Sequence, residues 1–343
     1  SMQLDDRKKR ILGALVDCYI STGEPVGSKL LAGALGNRIS PATIRNEMSE
    51  MAEMGLLNQP HTSAGRIPTQ VGFRYYVDTL MGNYALTELE QSRINVVLRL
   101  DANTLDGALL KASELLAAIT GCVAVSAAPR ANIRIRHVEV LAAGKHSVLV
   151  VLVATPGVLR SRLCKADDII NDEMLTYFAN LLKERLEGLS PEAVTPELME
   201  NMERALHQYT KALLPVLEAV FDEIAVLNDE EVFLGGETNL FCFPDFHNST
   251  ALEIAHFLEE REHAAKLVGE VHQPVKVRIG TENEGEPMRS SSVIAAPYRI
   301  EGKTQGTVGI IGPIRMHYAK LVSHIEYFST VLSKLFDEHF ADE

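Results

Sequence analysis

Tryptophan is absent from the 343 residues, and cysteine is scarce: Cys18, Cys122, Cys164 and Cys242 lie far apart with no C-x-x-C spacing. That pattern excludes a zinc cage readable from the sequence and fits reduced thiols in a cytoplasm. Long apolar runs are missing too. The longest uncharged stretches, 115–129 and 146–159, hold 15 and 14 residues, short of the roughly 20 that a spanning helix needs. No membrane partner is therefore expected. No basic stretch followed by an apolar one opens the chain, so export is not expected and a cytoplasmic location is. The eleven histidines include no H-E-x-x-H and none has metal-ligand spacing, so no metal is expected. Gly306, Gly309 and Gly312 are spaced G-x-x-G-x-x-G, which is not the dinucleotide fingerprint. Glycines in an apolar strand mark close packing or a bulge. Gly235-Gly236 after Val232-Phe233-Leu234 reads as a turn, and the carboxylates between 167 and 231 as a solvated helical face. Internal repeats and low-complexity segments are also lacking. With no catalytic constellation and no cofactor motif, an enzyme is not expected.

What is present is an ordinary globular composition, 46% hydrophobic and 23% charged. The length suggests two or three domains, each able to build a core without disulfide or metal staples. Net charge is −13, but it is uneven. Residues 1–80 hold nine Lys and Arg against eight Asp and Glu, net +1, so the remaining 263 carry 24 against 38, net −14. The stretch 54–77 has no acid at all and includes His61, Arg66 and Arg74. Nucleic acid stays open as a partner for the N-terminal end only.

That end reads as a winged helix-turn-helix. Ile11, Leu12, Leu15, Val16 and Tyr19 recur at helical spacing over 4–20. A short second helix over 27–35 closes at Gly36-Asn37. Ser40-Pro41 then gives an N-cap with proline at the first helical position, and Gly55 stops the third helix. Two β-competent pieces, 56–59 and 66–68, flank a turn at 60–65. An aromatic-rich helix over 69–81 leads out. On the third helix, Ile44, Met48, Met51 and Ala52 share the packing face. Ala42, Thr43, Arg45, Asn46 and Ser49, with Ser40 at the cap, fall on the side that faces base edges when such a helix enters a major groove. Arg pairs bidentately with guanine and Asn with adenine. The competing reading is a solvated helix face. His61, Thr62, Ser63 and Arg66 give the wing hydroxyls and a cation at its tip, suited to phosphate or minor-groove contact; a plain polar turn competes. Ser28 and Lys29 could hold a phosphate at the start of helix two, or simply cap it.

Beyond 85 the texture changes. Helical stretches at 86–100 and 105–119 precede β-rich pieces at 122–127, 138–141 and 147–154. Residues 167–227 read as helical and acidic, interrupted at Pro191, Pro196 and Pro215. Strand patterns return at 275–279, 292–297 and 307–311 before a closing helix over 318–336. Strands split by a helical block predict an α+β domain carrying an insertion.

The run from Ser40 to Met48 (S-P-A-T-I-R-N-E-M), Gly55-Leu56-Leu57, the run from Gln59 to Pro68 (Q-P-H-T-S-A-G-R-I-P) and Arg74-Tyr75-Tyr76-Val77-Asp78 resemble the HrcA family of heat-inducible transcription repressors. The likeness continues through Phe233-Leu234-Gly235-Gly236 with Asn239-Leu240, the run from Val277 to Asn283 and the run from Gly312 to Tyr318. Departures are mild: Leu30 stands where Thr is usual, and Met51 and Met54 replace Leu, an exchange that packing tolerates. The resemblance implies an α+β multidomain chain: a winged-helix DNA-binding domain over 1–84, a discontinuous GAF-like domain over 85–166 and 246–343, and a mainly helical dimerisation domain inserted over 167–245. It implies a homodimer that binds double-stranded DNA at an inverted-repeat operator (CIRCE), represses GroE- and DnaK-type chaperone operons until heat stress releases it, and depends on the GroE chaperonin. The alternative is a winged-helix repressor controlled by a small ligand in the GAF-like domain, with 306–312 lining the pocket.

Overall fold

The computed structural model describes residues 3–98, 104–128, 133–229, 231–269, 271–302 and 304–340. Helix α1 (Asp6–Thr22) starts where the Asp5 carboxylate accepts from the Lys8 N–H and ends at Gly23 in the left-handed region. After α2 (Ser28–Ala34), helix α3 (Pro41–Glu53) begins with the Ser40 hydroxyl accepting from the Thr43 N–H and with Pro41 in its first turn. Strands β1 (Leu57–Asn58) and β2 (Ile67–Pro68) pair antiparallel as the wing. Helix α4 (Gln70–Tyr75), capped by Thr69, runs into a π-helical turn over Tyr76–Leu80. The third helix buries Ile44, Met48 and Met51 as expected, together with Glu47, which the apolar pattern did not include; Ala52 is only half-buried.

Helices α5 (Glu88–Leu98) and α6 (Leu105–Thr120) follow. The last two residues of the helix expected over 86–100 lie outside the described residues. The central sheet has five antiparallel strands: β3 (Val123–Ala127), β7 (Val232–Gly235), β8 (Lys276–Ile279), β9 (Ser291–Ile300) and β10 (Thr304–Pro313), in the order β7-β3-β10-β9-β8. Both faces are covered. Ile294, Ala296, Tyr298, Val308 and Ile310 pack with α6 and the closing helix α12 (Tyr318–Phe340). Val123, Val125, Val293, Ala295 and Ile311 pack with α10 (Asn248–Glu259) and α11 (Arg261–Val268). Double-sided burial explains why these strands read as continuous apolar runs rather than alternating ones. Gly235 is the last residue of an edge strand rather than part of a turn, and only Gly236 turns.

A second sheet is a meander of β4 (Arg134–Gly144), β5 (Ser147–Thr155) and β6 (Val158–Lys165). Its inner face (Val138, Val140, Val148, Val150 and Leu152) shares a core with α7 (Asp172–Leu186), α8 (Pro196–Ala205) and α9 (Thr210–Val226). The insertion as a packing unit therefore covers about residues 133–227 and takes in the meander that the boundary at 167 leaves out. Pro215 does not interrupt: α9 runs through it, held by Leu213, Val216, Leu217 and Val220, all buried. Tertiary packing overrides the local cost of proline here.

Candidate nucleic-acid interface

The reading face is made by a helix fixed on its other side. Glu47 points inward from α3, and the Lys8 ammonium on α1 reaches its Oε2 and the Glu50 carboxylate at 2.8 Å each. These bonds raise the Lys8 pKa, chiefly through Glu47, so the ammonium stays charged and ties α1 to α3. With that face anchored, Ala42, Arg45 and Asn46 are exposed and Ser49 and Thr43 half-buried. Ser40 is exposed, but its hydroxyl is engaged with Thr43, 2.9 Å from the Thr43 Oγ1. The Ser49 hydroxyl donates back to the Arg45 carbonyl at 3.1 Å. The face thus divides into a cap and two free reading groups, Arg45 and Asn46.

The wing differs from the expectation in one respect. Arg66 is not at its tip. Its backbone exchanges two 2.9 Å hydrogen bonds with Val26, so Arg66 sits half-buried at the foot of the hairpin, beside the α1–α2 loop. Gly65 permits this approach, since a Cβ there would stand 2.3 Å from the Val26 carbonyl oxygen. The tip is His61, Thr62 and Ser63, all exposed. Gln59 shapes it: its Nε2 donates to the Thr62 and Ala64 carbonyls at 3.1 and 3.0 Å. Ser28 is also corrected. It is 8% exposed in the first turn of α2, where Gly27 holds the cap position, and so offers no surface hydroxyl; Lys29 beside it is exposed. Leu30, the departure noted in helix two, is exposed rather than packed.

Sequence reasoning missed Glu47 and Gln59 as site-shaping residues, because their roles depend on partners that become neighbours only on folding. Elsewhere, the space beside the three strand glycines is filled: a Cβ would meet the Tyr298 ring at Gly306, Val268 at Gly309 and the Met316 sulfur at Gly312. Those glycines serve close packing. Among the described residues, no three His, Cys, Asp or Glu side chains gather as metal ligands, and no helix is long and apolar enough to cross a membrane.

Comparison with known proteins accords with this geometry. A family profile described as "Winged helix-turn-helix transcription repressor, HrcA DNA-binding" matches residues 3–76, and one described as "HrcA protein C terminal domain" matches residues 106–322. A heat-inducible transcription repressor HrcA from Acetivibrio thermocellus is 36% identical over 97% of this chain and 96% of its own. The protein of the same name from Carboxydothermus hydrogenoformans is 35% identical, over 97% and 98%. A solved structure described as a hypothetical protein superposes with a TM-score of 0.67 at 22% identity, covering 98% of this chain and all of that one, a likeness of fold.

Proposed function

The chain belongs to the HrcA family of heat-inducible transcription repressors, and on that premise we propose that it represses GroE- and DnaK-type chaperone operons by binding, as a homodimer, an inverted-repeat operator of the CIRCE kind until heat stress releases it. One observation carries this reading: α3 is capped and anchored through its inner face, leaving Arg45 and Asn46 free on the face a major groove admits. Arg45 reads a guanine edge and Asn46 an adenine edge, with Ala42, Thr43 and Ser49 shaping the fit and Ser40 holding the helix start. Lys29, His61, Thr62 and Ser63 meet the phosphates, and Arg66, half-buried at the foot of the wing, meets one from there. The five-stranded sheet with helices on both faces supports the GAF-like assignment of the discontinuous domain. The GroE chaperonin, which the family resemblance brings, is the partner that restores the active state, so that free chaperonin signals the end of stress.

The outer face of the meander supports a second copy as partner. Leu141, Leu149 and Leu163 form one row across it, and Val153 and Leu159 belong to another. Leu141, Leu159 and Leu163 are 51%, 48% and 66% exposed. An apolar sheet face of this kind marks an interaction site on a folded protein. Dimerisation then seats two winged helices on one duplex, raising the effective concentration of the second once the first has bound. The test is a gel shift with an inverted repeat and a scrambled duplex across salt and temperature. Tighter binding of the repeat, lost on heating before the chain unfolds, is the expected result; equal affinity for both duplexes at every temperature overturns it.

A further inference from the structure

Three motif blocks that the reading face does not use meet at one place: Arg74 on α4, the run 277–283 from β8 into the turn after it, and the run 312–318 from the end of β10 to the start of α12. Arg74 Nε donates to Glu282 Oε1 at 2.9 Å; its Nη2 reaches the other Glu282 oxygen and also the Val277 carbonyl, at 2.7 Å. Glu282 is itself held, accepting from the Ile279 N–H at 2.8 Å. Beside this pair, Gln70 accepts from the Thr281 N–H and donates to the Thr281 hydroxyl, both at 2.9 Å. Gly280, at φ +56°, allows the approach, because a Cβ would stand 2.3 Å from the Gln70 oxygen. Arg315 makes the second half. Its Nη1 donates at 2.9 Å to the Ile20 carbonyl in the last turn of α1, while Nε and Nη2 grip Asp245 at 2.9 and 2.7 Å. Apolar contact joins the same modules: Phe73 lies 6.2 Å from the Tyr19 ring and 6.0 Å from that of Tyr318.

Burial alone would lower the Arg74 pKa, but its bonds to Glu282 and Asp78 outweigh burial and raise it; the bond to Asp245 raises that of Arg315. Both guanidinium groups are therefore permanently charged. A guanidinium gripping a carboxylate through two parallel bonds fixes orientation as well as distance, which a ring contact free to slide does not. We propose that Arg74 with Glu282 and Arg315 with Asp245 are positioning residues that set the angle of the winged helix on the rest of the chain, and so the separation of the two reading helices in the repressor dimer. This rests on the homodimer and inverted-repeat reading above. A two-fold protein needs its recognition helices at a spacing matched to the two half-sites, and angular slack at this joint is multiplied along the lever to α3. The joint engages the end of α1 and α4, and leaves Arg45 and Asn46 exposed.

Spin-label distance measurement tests the joint without DNA. The full chain, its native cysteines replaced, carries labels at Glu53→Cys and Leu252→Cys and is diluted with unlabelled chain. The parent gives a narrow distance distribution, and Arg74→Gln or Arg315→Gln broadens it; an unchanged width overturns the proposal. Arg315→Lys keeps the charge but not the fork, and broadens it too. If the arginine variants do not fold, Gln70→Ala at the rim carries the test, broadening for and an unchanged width against. On DNA, the arginine variants lose about tenfold or more on the inverted repeat, the loss expected when one module no longer reaches its half-site, while single half-site affinity holds. Equal losses on both duplexes, or none, overturn the positioning role. A parent that binds repeat and half-site alike defeats the dimer reading instead, and the distance widths still judge the joint.

Discussion

Arg45 stands just past the first turn of α3, exposed, while the opposite side of the same helix is pinned through Glu47 to Lys8. A base-reading role and a phosphate-contacting role differ in how their loss depends on sequence and salt. Arg45→Ala is expected to cost roughly 1–3 kcal/mol on the operator and to relax base preference at one position. Quantitative gel shifts on operator and random duplexes check this, and equal losses on both contradict the role. Arg66 at the foot of the wing is expected to behave differently. Arg66→Ala weakens all duplexes alike and lowers the slope of log affinity against log salt by about one. A base-specific loss there would mean that the guanidinium reaches a groove from its half-buried position.

Among the elements, the wing depends on one close approach. Gly65→Ala places a Cβ against the Val26 carbonyl, so the Val26–Arg66 bonds break and the wing swings from the α1–α2 loop. DNA affinity falls while the core of α1 to α3 keeps its melting behaviour; hydrogen exchange at the Val26 and Arg66 amides reports the released bridge. The meander carries a pH dependence. His137 on β4 is bonded at 2.6 Å to Glu187, beyond the end of α7, and at 2.6 Å to Glu139, and these bonds, Glu187 first, raise its pKa. A raised folded pKa gives stability that is fully present below the unfolded value, near 6.5, and lost as pH rises through the folded value. The effect is small because the side chain is half-exposed and solvent screens it. Melting curves between pH 6 and 9 should show the decline, and His137→Gln should flatten it. What the sequence disclosed follows the same division. The starts of α1 and α3, the Gly55 stop and the turn at 60–65 are local signals between neighbours in the chain, and strands β3, β9 and β10 announce themselves by doubly buried runs. Strand β6 hid because its polarity is inverted: Arg160 and Arg162 turn toward the helices to pair with Glu231 and Asp222, while Leu159 and Leu163 face out. The Arg74–Glu282 pair hid because its members lie 208 residues apart, where spacing carries no information.

For the whole molecule, the inversion in β6 becomes an argument about assembly. The winged module carries a net charge of only +1, and Lys8 and Arg74 within it are engaged in ion pairs inside the protein. A single module therefore has little phosphate-neutralising charge, and phosphate neutralisation dominates the affinity of such modules. On the proposed homodimer reading, useful affinity comes from two modules acting together, and the weak charge of each is the electrostatic argument for a second copy. The leucine row of the meander is where that copy is expected to sit, and Leu163→Glu tests it. Leu163 lies on the outer face of an edge strand and is the most exposed of the row, so a carboxylate there is solvated in a monomer and harms folding little. Across a dimer contact the same carboxylate loses its water without gaining a partner, a cost of several kcal/mol. Sedimentation is expected to give a dimer for the parent and a monomer of unchanged helicity for the variant. Affinity for the inverted repeat should fall to that of a single half-site, with a shallower salt dependence because fewer phosphates are neutralised at once. A variant that remains dimeric would move the interface to another face of the insertion, and one that turns monomeric yet keeps full affinity for the repeat would remove the need for two copies.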